Sequence, residues 1–119
     1  MSSNIVEISK KAYANALAKG FHSNEDGTLK ERNMGESIAL IHSEASEALE
    51  EIRKNPDPFH RYLREKDGKP EGFLVELADI IIRIGDLVGS FEGEGELAKA
   101  IYEKMEFNKT RPHMHGKGF

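Results

Sequence analysis

Apolar residues recur at helical spacing in several stretches of the chain, and polar loops separate them. Ile5, Ile8, Ala12 and Ala16 fall three or four residues apart, which predicts a helix over 4–19 that stops at Gly20. Residues 21–32 are polar, contain Gly27 and read as a loop. Ile38, Ile41, Ala45, Ala48, Leu49 and Ile52 share one side of a second predicted helix, 33–54, which Asn55, Pro56 and Pro58 end. A connector runs on to Lys69, with a short turn expected over 59–63. The third stretch is the most apolar, with Phe73, Leu74, Leu77, Ile80, Ile81, Ile84, Leu87 and Val88. Its Ile80-Ile81-Ile82 run would suit a strand, but the length and the 3.6-residue period favour a buried helix over 70–89, with Pro70 in its first turn. A fourth helix is expected over 95–109, stopped by Pro112.

This pattern predicts an all-α fold, a helical bundle of about four main helices. No solenoid repeat or low-complexity tract interrupts it. The 119 residues suit a single domain, 1–119, with 110–119 as a basic, Gly-rich and flexible tail. Hydrophobic residues make up 38% of the chain, enough for a modest core, so completion of the core by oligomerisation is expected.

The polar positions carry the chemistry. Glu44 and Glu47 on the second helix, and Glu76 and Asp79 on the third, are each spaced i, i+3 and so share a helix face. Measured round the helix from Glu44, the apolar Ala48, Ile41, Ile52 and Ala45 spread from about 40° to about 100° on one side, and Glu51 and Glu47 lie within about 60° on the other. From Glu76, Leu87, Ile80, Phe73, Ile84 and Leu77 spread over about 20° to about 100°, with Arg83, Asp79 and Asp86 within about 80° on the other side. Packing the two apolar stripes together therefore brings two acidic strips to one edge. Two carboxylates ~6 Å apart repel by roughly 0.7 kcal/mol in water and roughly 3 kcal/mol at an effective dielectric of 20. Such a cluster calls for cations, and oxygen ligands suit magnesium or manganese. One i, i+3 acidic pair is most often a solvated face; two pairs on facing helices, both beside the apolar stripe, favour a metal site.

Composition narrows the chemistry further. The chain has no cysteine, which excludes disulfides and thiolate ligands. Its net charge of −4 argues against a nucleic-acid backbone binder, though a bound cation can reverse the sign locally. No membrane-length apolar run and no signal-peptide apolar region are found, so a cytoplasmic protein is expected. A GxxxxGK[ST] phosphate loop is absent, Gly93 and Gly95 form no phosphate cradle, and no Ser–His–acid spacing stands out.

At the acidic pairs the sequence resembles the MazG-like all-α nucleoside triphosphate pyrophosphohydrolases. The resemblance rests on Glu44-Ala45-Ser46-Glu47 and Glu76-Leu77-Ala78-Asp79, with 28 residues between them, at the long end for that family. It extends to the flanks: Gly35-Glu36-Ser37-Ile38-Ala39-Leu40-Ile41, Lys69-Pro70-Glu71-Gly72, Val75 through Arg83, and the ending Asn108-Lys109-Thr110-Arg111-Pro112 with His115-Gly116-Lys117. It implies magnesium-dependent hydrolysis of a nucleoside triphosphate to monophosphate and pyrophosphate, by attack of activated water at the α-phosphorus. The metal ligands it implies are Glu44, Glu47, Glu76 and Asp79. It also implies a homodimer or a tetramer of dimers whose active site is completed across subunits. A lysine and an asparagine of the family's last helix correspond to Lys104 and Asn108. With Arg111 these follow i, i+4, i+7 spacing, one stripe if the helix persists to Arg111, able to meet phosphate oxygens or to remain a solvated face.

Other residues have blander readings. Arg83 is expected to neutralise the acidic strip. Glu51 and Asp86 extend the strips as outer ligands or as solvated ends. His113 and His115 are expected not to bind metal, and Phe21 is expected to pack rather than stack on a base. Two rival functions stay open: a non-catalytic helical assembly protein with a cation-binding strip, and a phosphoribosyl-ATP pyrophosphohydrolase.

Overall fold

The computed structural model describes residues 4–113. Four helices, α1 (Ile5–Ala18), α2 (Met34–Lys54), α3 (Phe73–Gly89) and α4 (Glu94–Lys109), are joined by loops and by a short hairpin of β1 (Arg61–Leu63) and β2 (Pro70–Gly72). The helical bundle follows the sequence expectation, and the hairpin corrects an all-α reading. Among the described residues no helix is long and apolar enough to cross a membrane.

Local chemistry sets the helix ends. Asn4 caps α1 by accepting from the Val6 amide at 2.8 Å, and Asn33 caps α2 by accepting from the Glu36 amide at 3.0 Å. Pro70 does not open the third helix. Residues 70–72 pair antiparallel with 61–63, in the register Arg61↔Gly72, Tyr62↔Glu71 and Leu63↔Pro70. At Gly72 the backbone turns from strand to helix with φ 137°, and a Cβ there would stand 2.5 Å from the His60 carbonyl oxygen. Only glycine fits, so the helix starts three residues later than the apolar pattern implies. The hairpin loop is tied by Asp67, which accepts from Arg64 Nη2 at 2.6 Å and from the Lys69 amide at 3.2 Å. The Arg64 guanidinium pulls the Asp67 carboxyl down to about 2.

α3 is the hub, packing along α1 on one face and α2 on another, while α4 rests on α1 and, less extensively, on α3. The α1 face is close-packed. A Cβ at Gly85 would meet Ser9 Cα at 3.0 Å, and one at Gly89 would meet Tyr13 Cβ at 2.6 Å and the Ser9 carbonyl oxygen at 3.1 Å. Gly89→Ala must therefore push two helices apart. Equilibrium denaturation is expected to show a loss of about 1–3 kcal/mol, despite alanine's better helix propensity. Wild-type stability in this variant would contradict the close packing.

The core of one chain is thin. Among the described residues the buried hydrophobic side chains are Ala48 and Leu87, whereas Ile38, Leu49, Ile81, Ile82, Met105 and Phe107 are exposed. The radius of gyration is 17.1 Å, against about 13 Å for a compact domain of this length.

Candidate metal centre

α2 and α3 cross where their acidic positions meet. Carboxylate oxygens of Glu44, Glu47 and Glu76, one from each, lie within 4.8 Å of one another. The convergence follows from the i, i+3 spacing beside the apolar stripes, as the sequence pattern implies. Asp79 stands one helical turn on from Glu76, outside this triplet. It is half-buried and lines a cavity that Glu44 and Arg83 also line. Burial, then the Glu44 charge, pushes its carboxyl above the usual range.

Glu76 is the centre of the group. It is 2% exposed, and its Oε2 is buried with no hydrogen-bond partner. Burial, then the neighbouring carboxyls of Glu44, Glu47 and Glu71, push it up to about 8. Glu44 is also buried and its Oε2 also lacks a partner, but Arg83 Nε donates to its Oε1 at 2.9 Å. Burial raises the Glu44 carboxyl, and Arg83 together with the carboxyls beside it more than offsets that, leaving it below its ordinary value. Arg83 thus neutralises the strip, as expected. Arg83→Met removes this partner from a buried carboxylate. The apo protein is expected to lose roughly 1–2 kcal/mol at neutral pH, as for a buried acceptor deprived of a charged donor, with recovery on adding a divalent cation. Urea titration with and without magnesium measures both; an unchanged midpoint would show that the pair carries no weight.

Two cavities flank the acids. The first, about 310 Å³, is lined by Glu47, Glu51, Glu71 and Glu76, with the basic Lys54, Arg64 and Lys69 at its walls. The second, about 760 Å³, is lined by Glu44, Asp79 and Arg83 and by Tyr13, Phe21, His22 and Arg32. Lys69 lines both, so the two adjoin.

Several of these residues carry no signal in the sequence pattern. His22 stacks on Tyr13 with ring centroids 5.7 Å apart, and its Nε2 lies 2.8 Å from Asp86 Oδ1. Arg32 donates to the same carboxylate at 3.2 Å. Asp86 is therefore held by a loop histidine and arginine and is not a solvated end of the strip. Phe21 is 70% exposed in the second cavity, contrary to the expectation that it packs. Glu51 accepts from the Tyr62 hydroxyl at 3.0 Å.

The helix does not persist to Arg111, since α4 ends at Lys109, and the basic residues there are not brought to the acids within one chain. Lys104, Asn108 and Arg111 line neither cavity. Lys104 Nζ lies 5.3 Å from the Phe107 ring centroid and Arg111 Cζ lies 5.9 Å from it. His113 is in none of the candidate ligand groups, and His115, with the tail from residue 114 onward, lies outside the described residues.

Compared with family models, with curated proteins and with solved structures, the chain matches none of them.

The donor set itself is the test of fit for a metal. The Oε2 atoms of Glu44 and Glu76 are buried with no protein donor, and the groups that set the titration of Glu76 are other carboxyls. Orphaned buried acceptors are costly unless a proton or a cation meets them. Hard oxygen ligands with a cavity on either side fit magnesium or manganese.

Proposed function

We propose that the chain is a MazG-like pyrophosphohydrolase, hydrolysing a nucleoside triphosphate to monophosphate and pyrophosphate with magnesium, or manganese in its place. One observation carries this reading. The Glu44–Glu47–Glu76 group, with its two unpartnered buried oxygens, stands between a small cavity walled by basic residues and a larger one walled by aromatic ones. A triphosphate laid across the acids would have its nucleoside on the Tyr13–Phe21–His22 side and its terminal phosphates on the Lys54–Arg64–Lys69 side.

Glu44, Glu47 and Glu76 would hold the metal, with Asp79 beside them completing the family's motif. The ion, when bound, offsets phosphate charge and lowers the pKa of a bound water. The chain's own groups do the rest. Arg83 keeps Glu44 ionised and oriented. Arg64 and Lys69 reach phosphate oxygens at the mouth of the small cavity. Burial of Glu76 keeps competing water away from the ligand oxygens. No nucleophilic side chain is required.

The thin core and the exposed apolar side chains of α2, α3 and α4 support assembly into a homodimer or tetramer. In that assembly a second copy would supply Lys104 and Asn108 of α4, with Arg111 just past its end, which one chain does not bring to its own acids.

The test is pyrophosphate release from a panel of ribo- and deoxyribonucleoside triphosphates, with and without magnesium, beside a Glu47→Ala control. Magnesium-dependent release, lost in the control, is the expected result. Metal binding without turnover of any triphosphate would favour the non-catalytic assembly protein.

A further inference from the structure

The hairpin brings a residue to the acidic group that the ExxE and ExxD pairs do not include. β2 carries Glu71 directly opposite Tyr62 on β1, and the Tyr62 hydroxyl donates to both oxygens of Glu51 on α2, at 3.0 and 3.3 Å. Glu51, Glu71 and Glu76 thereby form a second triplet, one oxygen of each lying within 4.8 Å of the others. Glu76 belongs to both triplets.

We propose that Glu51, Glu71 and Glu76 form a second divalent-cation position, joined to the Glu44–Glu47–Glu76 position through the shared Glu76 carboxylate. An acidic cluster alone would not carry this; the state of Glu76 does. It is 2% exposed, its Oε2 has no partner, and it sits where the two triplets meet. A carboxylate offers about four lone-pair sites, and at Glu76 Oε2 no donor meets them.

The other two ligands are set for the same task. The side chains of Glu51 and Glu71 are 10% and 13% exposed, nearly buried. The Tyr62 hydrogen bond orients Glu51 and leaves it acceptor sites to spare, the usual role of an outer partner to a metal ligand. The basic groups nearest Glu71 do not satisfy it closely: Lys69 Nζ is 3.8 Å away and Arg64 Nη1 3.9 Å. Both stand at the wall of the small cavity: Lys69 is half-exposed and can turn toward an anion there, while Arg64 is held by Asp67 through Nε and Nη2 and presents its Nη1. Oxygens around a magnesium ion at roughly 2.1 Å stand about 3–4.2 Å from one another, so the triplet needs only a slight contraction. Paired ions commonly lie about 3.5–4 Å apart.

The second position faces the 310 Å³ cavity, which both Glu51 and Glu71 line. On the proposed function, on which only this consequence rests, the second ion meets the departing pyrophosphate together with Arg64 and Lys69.

The experiment titrates the full-length protein with Mn²⁺ alone. It reads stoichiometry by calorimetry and spin coupling by electron paramagnetic resonance, for wild type, Glu71→Gln, Glu47→Gln and Tyr62→Phe, with circular dichroism to show that each variant is folded. The expected result is two Mn²⁺ per wild-type chain with a coupled spectrum. Folded Glu71→Gln should retain one, with an uncoupled spectrum, and Tyr62→Phe should keep both ions with the second bound about 10-fold or more weakly. One Mn²⁺ in the wild type, or two still bound and coupled in Glu71→Gln, overturns the second position. The arms separate this from the function. A single Mn²⁺ lost in Glu47→Gln but not in Glu71→Gln leaves the proposed centre standing without the second ion. Two coupled ions in a protein that releases no pyrophosphate keep the site and remove the activity.

Discussion

Glu76→Gln is expected to abolish magnesium-dependent pyrophosphate release while making the metal-free protein more stable at alkaline pH. The two effects have one cause. Glu76 is buried among Glu44, Glu47 and Glu71, its Oε2 has no hydrogen-bond partner, and no basic group is among the causes that set its titration. Glutamine keeps the shape, removes the repulsion, and removes the anionic ligand. Activity should fall by at least roughly a hundredfold, the lower range for loss of a group that stabilises transition-state charge. Thermal melting at pH 9 without metal should move upward relative to wild type, and at pH 5, where the wild-type carboxyl is protonated, the difference should shrink or reverse. A residue with a merely structural role would lose activity and stability together. Lower stability of the variant at pH 9 would show that the Glu76 charge is already satisfied.

The second large effect is the dependence of metal-free stability on pH. The folded carboxyl of Glu76 titrates at about 8 against an ordinary 4.5, so the folded state holds its proton more tightly than the unfolded chain does. Stability from this group is therefore fully present below about pH 4.5 and is lost as pH rises through about 8. Asp79, also raised, acts in the same sense. Glu44 is lowered, so its contribution is present above the ordinary carboxylate range and is lost toward strong acid. Metal-free stability should thus peak in mild acid and decline toward pH 9. Magnesium competes with the proton, so the magnesium-induced rise in melting temperature should grow between pH 6 and 9. At a hundredfold excess over Kd, binding stabilises by about 2.7 kcal/mol, a shift of order 10 °C for a domain of this size. A magnesium shift of the same size at pH 6 and pH 9, or none in the wild type, would contradict competition between proton and cation at Glu76.

The helices and the Glu44–Glu47–Glu76 meeting were legible because each depends on a single period. Apolar stripes at 3.6 residues place α2 against α3, and acids beside the stripe must then converge. Arg83 was legible for the same reason. Glu71 was not. With Pro70 taken as a helix start, Glu71 lies about 140° round the helix from Glu76 and faces away. The strand over Pro70–Gly72, forced by the 137° φ of Gly72, is what brings it near. No periodicity announces a three-residue strand whose partner lies across a loop. The pairing of His22 and Arg32 with Asp86 joins residues more than fifty positions apart and depends on how one loop crosses α3. The α4 stripe marks the opposite limit. The spacing of Lys104 and Asn108 defines a face, but spacing cannot say what that face meets, and α4 docks on α1 and α3 rather than on α2; Arg111 falls beyond the helix end.

The most direct measurement is hydrolysis of a turned-over nucleoside triphosphate in ¹⁸O-labelled water with magnesium, with the products resolved by mass spectrometry. The expected outcome is a monophosphate carrying one ¹⁸O and an unlabelled pyrophosphate, because water held at the Glu44–Glu47–Glu76 group attacks the α-phosphorus. Label in the pyrophosphate, or release of orthophosphate with a diphosphate, would contradict the account.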